Sequence, residues 1–206
     1  VAVPGAHEFS VRGSETLYSG AILELRRDEV VMPGGETAHR EVVAKHGAVA
    51  VVARDAAGRL AMVVQYRHPI GRRLLELPAG LLDGGPEESP VEAAQRELAE
   101  EAGLAARSWR TLVDLDSSPG FTDEAIRVFL AEDLFEVDGG EREHEEADLA
   151  LRWLTLDEAV TAALGGELVN AIAVAGVLAV AAADVRGGQL RAPDAPWADR
   201  PRRFGT

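Results

Sequence analysis

Apolar residues recur along this chain at two periods, and the change of period marks out its elements. From Phe9 to His46, short segments alternate apolar and polar positions between glycines and charges, with a Pro-Gly-Gly turn at 33–35. A period of two broken in this way predicts two or three antiparallel strands. At Gly47 the character changes. The runs AVAVVA (48–53) and RLAMVVQYRH (59–68), joined by RDAAG, are continuous enough to be buried on both faces and predict a hairpin that opens a core domain.

The period lengthens at Ser89. Ser89 is a capping residue, Pro90 suits the first helical position, and Glu92 stands where a capping box places its acid. Val91, Ala94, Leu98 and Ala102 then fall on one helical stripe, and Gly103, able to turn left-handed, ends the helix. Thr155 and Glu158 form a second capping box, opening a short helix that stops at Gly165 and Gly166. The segment Leu168–Ala183 is almost wholly apolar, but it is about 16 residues of mostly small side chains interrupted by Asn170 and Gly176. A membrane span needs about 20 strongly apolar residues, so a buried helix packed on a sheet is expected instead. Strands before, between and after helices predict an α/β fold, an α/β/α sandwich around a mixed sheet, with a small N-terminal antiparallel β unit. The expected division is a strand unit over 1–46, a core domain over 47–191 and an irregular Pro-rich tail over 192–206. Trp109 and Trp153 read as core or sheet packing.

Composition narrows the chemistry. The 206 residues hold 35 acidic and 21 basic side chains, a net charge of −14, which would repel a nucleic-acid backbone. The chain has no cysteine, which excludes disulfides, zinc-thiolate and iron-sulfur centres and a thiol nucleophile. Val1–Ser10 lacks the basic-then-apolar shape of a signal peptide, so a cytoplasmic protein with no membrane role is expected.

The Ser89 helix carries three carboxylates within five positions, Glu97, Glu100 and Glu101. At about 100° per residue, Glu97 and Glu101 share one face and Glu100 lies beside them. Carboxylates that close raise one another's pKa, and a hard divalent cation relieves the repulsion. Magnesium, which keeps several waters and shares itself with substrate phosphates, is the natural candidate, with manganese as an alternative. Arg96 is placed to hold a carboxylate of the cluster. A solvated acidic helix face has the same composition, and only the spacing separates the two readings.

Glu88, then seven residues, then Arg96-Glu97-Leu98-Ala99-Glu100-Glu101-Ala102-Gly103-Leu104 resembles the Nudix box of hydrolases that cleave nucleoside diphosphates linked to another group. One position departs: Leu82 stands where the family has glycine, and Gly80 is the matching residue, so the loop before Glu88 is slightly longer than usual. Glu76-Leu77-Pro78-Ala79-Gly80, Gln65-Tyr66-Arg67, Ser118-Pro119-Gly120-Phe121-Thr122-Asp123-Glu124 and the N-terminal strands are similar to those of ADP-ribose pyrophosphatases, in which a proline follows the box as Pro119 does here.

The resemblance implies specific roles. Glu97 and Glu101 would be the principal magnesium ligands, Glu100 would assist directly or through water, and the backbone carbonyl of Ala79 would complete the site. Glu88 and Arg96 would orient the helix and loop, with Gly80 and Gly103 structural. A general base would come from the loop 141–148, as Glu146 or, next to it, Glu145. Arg67 and Arg40 would contact phosphate or adenine, Glu76 the adenine side, and Ser118 and Glu124 the terminal ribose; for Arg40 a plain strand-surface charge stays open. Cleavage of ADP-ribose would give AMP and ribose 5-phosphate, and the N-terminal strands would exchange across a homodimer. Two other readings stay open: hydrolysis of another nucleoside diphosphate sugar such as ADP-glucose or GDP-mannose, and a non-catalytic domain that senses ADP-ribose.

Overall fold

The structure is a computed structural model and describes residues 8–85, 87–139, 149–187 and 189–201. By its internal contacts the chain divides into two units: one holds the N-terminal strands together with Ser118–Glu124, the other holds Gly47–Ser117 and Ala125–Arg200.

The first unit is a three-stranded antiparallel sheet in the order β1 (Ser10–Ser19), β2 (Glu24–Val31), β3 (Thr37–Ala44). The turn between β2 and β3 is tight because Gly34 and Gly35 both take positive φ, at 98° and 89°, where a side chain would be strained. Every position of β1 is exposed, Val11, Leu17 and Tyr18 among them, as is Phe9 just before it. The segment Ser118–Glu124 pairs with the end of β3: the Val43 N–H donates to Phe121 O at 2.8 Å and the Asp123 N–H donates to Val43 O at 3.3 Å.

The second unit is built on a seven-stranded mixed sheet. Its strands are β4 (Ala48–Arg54), β5 (Arg59–Arg67), β6 (Arg72–Glu76), β7 (Ala79–Leu81), β8 (Leu104–Asp116), β9 (Ala125–Glu136) and β10 (Ala150–Thr155). The main path runs β10-β5-β4-β9-β8, with β6 on β5 and β7 on β4. β4 and β9 are parallel and the remaining pairs antiparallel, which makes the sheet mixed as the sequence pattern predicts. The hairpin of β4 and β5 is paired directly only near its turn, through Ala53 and Arg54. Beyond that β4 turns to β7 and β5 to β6, so the chain from Arg72 to Leu81 fills the gap between them.

Both faces of β4 are covered, as its unbroken apolar run requires. Val49, Val51 and Ala53 pack with Ala94, Leu98, Trp109 and Phe129 beneath α1 (Pro90–Ala102). Ala50 and Val52 point the other way, toward Ala159 of α2 (Leu156–Gly165) and Ala173, Val177 and Val180 of α3 (Ala171–Arg186). Burying each valine or leucine here contributes about 1.5–3 kcal/mol before entropy is counted. Gly176 lets α3 approach closely, since a Cβ there would stand 2.7 Å from the Leu77 side chain.

The helix ends follow the sequence signals. Ser89 and Thr155 each form a complete capping box, and Gly103 and Gly166 close α1 and α2 with φ of 65° and 81°. The apolar helix differs from expectation at its start. Asn170, which reads in sequence as an interruption, is its N-cap, accepting from the Ala173 N–H at 3.0 Å. Leu168 therefore lies outside the helix, although it is still buried. Among the described residues no helix is long and apolar enough to cross a membrane.

The described part of the tail has no helix or strand, but it is held to the sheet. The buried Arg127 guanidinium donates to Ala195 O at 2.6 Å and Pro196 O at 3.1 Å, and it lies 4.9 Å from the ring centre of the buried Trp197. Arg127 is itself paired with Asp114 at 2.7 Å. Burial alone would raise the Asp114 carboxyl, but hydrogen bonds from Arg127 and Arg191 outweigh it and bring the group below the ordinary carboxylate value. A tail rich in proline thus gains order from a cation in β9, which no local pattern announces.

Candidate active site

α1 places its carboxylates half in and half out of the core. Glu97 and Glu101 lie one turn apart on the same face as the buried Ala94 and Leu98 and are only 6% and 4% exposed, while Glu100 sits at the rim. Burying a carboxylate costs several kcal/mol unless it is paired, so a purely structural helix has no reason to carry two of them inward.

One guanidinium gathers most of the cluster. Arg96 donates from Nε to Glu88 Oε1 at 2.9 Å, and from one terminal nitrogen to Glu97 Oε1 at 2.6 Å and Glu100 Oε2 at 3.2 Å. Its other terminal nitrogen faces Leu81 O, Asp83 Oδ1 and Glu88 Oε2, each at 3.4 Å. Glu101 is held differently, accepting from the Ala79 N–H at 2.9 Å. The Ala79 amide thus braces Glu101.

Two glycines make room for this packing. A Cβ on Gly80 would stand 2.0 Å from Glu97 Cδ, and one on Gly84 would stand 2.3 Å from Glu88 Cδ. Glu97 lies directly against the Gly80 backbone, which leaves no room for a side chain at that position. Gly84 and Asp83 are site-forming residues that the motif does not reveal; the Gly-Gly pair at 84–85 is the one local sign of them.

The electrostatics show a shortage of positive charge. Burial pushes the Glu97 carboxyl up to about 7; Arg96 opposes the rise, and Glu100 and Asp83 add to it. Glu88, bonded to Arg96, is held below its ordinary value despite partial burial. Among the described residues one guanidinium, that of Arg96, faces Glu88, Glu97, Glu100 and Asp83, with Glu101 beside them, and the donors are all oxygen. That set fits a hard divalent cation. Among the described residues no three acidic or imidazole side chains already converge on one point. Magnesium does not require such a cage, because it binds through one or two carboxylates and completes its shell with water and phosphate.

Residues 44–173 match the NUDIX domain, and residues 10–43 match the nucleoside diphosphate sugar hydrolase N-terminal domain. The chain belongs to the NUDIX family. Its members are typically metal-dependent. A Mycobacterium tuberculosis protein named ADP-ribose pyrophosphatase is 54% identical over 97% of this chain and 96% of its own length. A Bacillus subtilis ADP-ribose pyrophosphatase is 38% identical over 71% of this chain and 78% of its own. A Bacillus methanolicus protein named methanol dehydrogenase activator is 39% identical over 71% and 78%. A solved structure described as an ADP compounds hydrolase superposes with a TM-score of 0.78, covering 90% of this chain and 99% of its own at 21% identity, which supports the same NUDIX fold.

The remaining candidates of this NUDIX chain are placed unevenly. Arg67 and Glu76 face each other across β5 and β6 in a two-pronged ion pair, Nε to Oε1 at 2.9 Å and a terminal nitrogen to Oε2 at 2.7 Å, with the Glu76 carboxylate almost wholly buried. Gly103 is the left-handed cap of α1. In the first unit, Arg40 lies on exposed β3 and donates to its neighbour His39 O at 2.8 Å. Ser118 accepts at its backbone oxygen from the Phe121 and Thr122 N–H groups, both at 3.1 Å. Glu124 is ion-paired with Lys45, a residue that no motif marks out. Glu145 and Glu146, the candidates for the general base, lie outside the described residues.

Proposed function

We propose that this chain hydrolyses the diphosphate linkage of ADP-ribose, releasing AMP and ribose 5-phosphate. The observation that carries the reading is 54% identity, over nearly the full length of both chains, to a protein named ADP-ribose pyrophosphatase. The oxygen-rich, positively undercharged face of α1 supports it independently.

In this reading Glu97 and Glu101 would hold magnesium, with Glu100 at the rim and the Ala79 carbonyl completing the set. When bound, magnesium offsets the charge of a diphosphate, lowers the pKa of a water and aligns an in-line displacement. The protein's own groups do the rest. Arg96 keeps Glu88, Glu97 and Glu100 from spreading apart, and the Ala79 amide fixes the rotamer of Glu101. Gly80 allows the Glu97 carboxylate to lie against the backbone. A loop carboxylate, Glu146 or Glu145, takes the proton of the attacking water. Arg67, oriented by Glu76, serves the nucleotide, as does Arg40; Ser118 and Glu124 serve the terminal ribose. The exposed apolar positions of β1 support pairing of two chains through the N-terminal sheet into a homodimer.

The metal helix handles only the diphosphate, so the sugar preference must be tested directly. Initial rates with ADP-ribose, ADP-glucose and GDP-mannose under saturating magnesium are expected to give a kcat/KM for ADP-ribose at least about tenfold above the others, the discrimination that one or two lost polar contacts produce. Equal values, or a preference for GDP-mannose, would replace ADP-ribose with a broader or different sugar nucleotide.

A further inference from the structure

An ion-pair chain in the first unit ends on Glu124. Ser14 Oγ donates to Asp28 Oδ1 at 2.6 Å, Arg26 Nε donates to Asp28 Oδ2 at 3.2 Å, and a terminal nitrogen of Arg26 reaches Asp123 Oδ2 at 3.3 Å. Lys45 then holds both consecutive acids of the segment: its backbone N–H donates to Asp123 Oδ1 at 3.1 Å, and its ammonium bonds Glu124 Oε1. Lys45 and Glu124 are both largely shielded, with side chains 27% and 18% exposed. An ion pair there is worth more than one in open solvent.

The backbone of Ser118–Glu124 does not depend on that pair. It is tied by the Val43 N–H to Phe121 O, by the Asp123 N–H to Val43 O, and by Thr122 Oγ1, which donates to Val43 O at 2.8 Å and accepts from the Glu124 N–H at 3.2 Å. The Lys45 ammonium adds a hold on the Glu124 carboxylate itself. A free glutamate side chain loses rotamer entropy when it is fixed, so a carboxylate already oriented meets a ligand at lower cost. A carboxylate with one oxygen on an ammonium also repels a polyanionic ligand less than a bare one, while it still accepts hydrogen bonds from neutral hydroxyls.

We infer that Lys45 is a positioning residue for substrate selection, fixing the Glu124 carboxylate to receive the hydroxyls of the substrate's distal sugar. The inference rests on the proposed role of Glu124 as a substrate contact, and the test separates the two.

Lys45→Met, Lys45→Arg and Glu124→Gln are compared with the parent chain using two probes. One is the KM for ADP-ribose; the other is the inhibition constant of ADP, which lacks the distal sugar. Lys45→Met is expected to raise the KM about tenfold, the loss typical of one charge-assisted hydrogen bond. The kcat should change less than about twofold and the ADP constant should stay unchanged, and Lys45→Arg should recover most of the loss. A parallel weakening of ADP and ADP-ribose would mark a general structural role and overturn the inference. So would an unchanged KM in Lys45→Met while Glu124→Gln raises it. An unchanged KM in Glu124→Gln removes the proposed role of Glu124 itself, and the positioning role falls with it.

Discussion

Glu97→Gln is expected to lower kcat/KM for ADP-ribose by about a thousandfold, ~4 kcal/mol of transition-state stabilisation, with Glu101→Gln close behind. An amide keeps the shape of the side chain and still accepts a hydrogen bond from Arg96 or from the Ala79 N–H, so the packing of α1 on the sheet survives. The negative charge is what disappears, and charge is what a divalent cation draws on. Isothermal titration with Mn²⁺ in the absence of nucleotide should therefore show weakened metal binding in both variants, and far-ultraviolet circular dichroism should show an unchanged fold. Glu100→Gln, at the rim, should fall between these variants and the parent chain. Full activity in Glu97→Gln would remove the acidic face of α1 from the chemistry.

Arg96→Met tests the opposite partner. Its guanidinium bonds Glu88, Glu97 and Glu100 and faces Asp83, and methionine replaces its stem without its charge. Taking one partner from a buried cluster leaves the others uncompensated, which costs about 3–5 kcal/mol in a closed interior. The Arg96 side chain is 32% exposed, so about 2–3 kcal/mol is the reasonable figure after allowing for solvent screening. For a chain of this size that lowers the melting temperature by about 4–12 °C. Calorimetry in EDTA should show the full loss, and millimolar magnesium should recover part of it, because a bound cation does some of the same neutralising. An Arg96→Met variant that melts with the parent chain in EDTA would mean that the carboxylates do not repel as the geometry implies.

Local signals made α1 legible in the sequence. The Ser89 capping box, Pro90 and Gly103 define its ends, and those ends set the register that brings Glu97 and Glu101 to one face. The β4–β5 hairpin was legible for the same reason, since a continuous apolar run has to be covered on both sides. What the sequence could not supply are contacts made by residues far apart along the chain. Asp83 and Gly84 reach the cluster because the loop before Glu88 folds back over Arg96, and its route is not encoded in a periodic pattern. Arg67 and Glu76 each read as substrate contacts, yet their side chains pair with each other although the β5–β6 register sets Arg67 opposite Arg72 and Glu76 opposite Val63. Lys45 and Glu124 meet only because Ser118–Glu124 lies along β3. Asn170 shows the limit from the other side: a polar residue in an apolar run reads as a blemish until its position at the helix start makes it a cap.

The most direct test of the central claim is product analysis. The purified chain is incubated with ADP-ribose, with magnesium or with EDTA, and the products are separated by anion-exchange chromatography beside the Glu97→Gln variant. Equimolar AMP and ribose 5-phosphate, formed with magnesium, abolished by EDTA and reduced about a thousandfold in Glu97→Gln, is the predicted result. Intact ADP-ribose in the presence of magnesium, or equal product from Glu97→Gln, would contradict it.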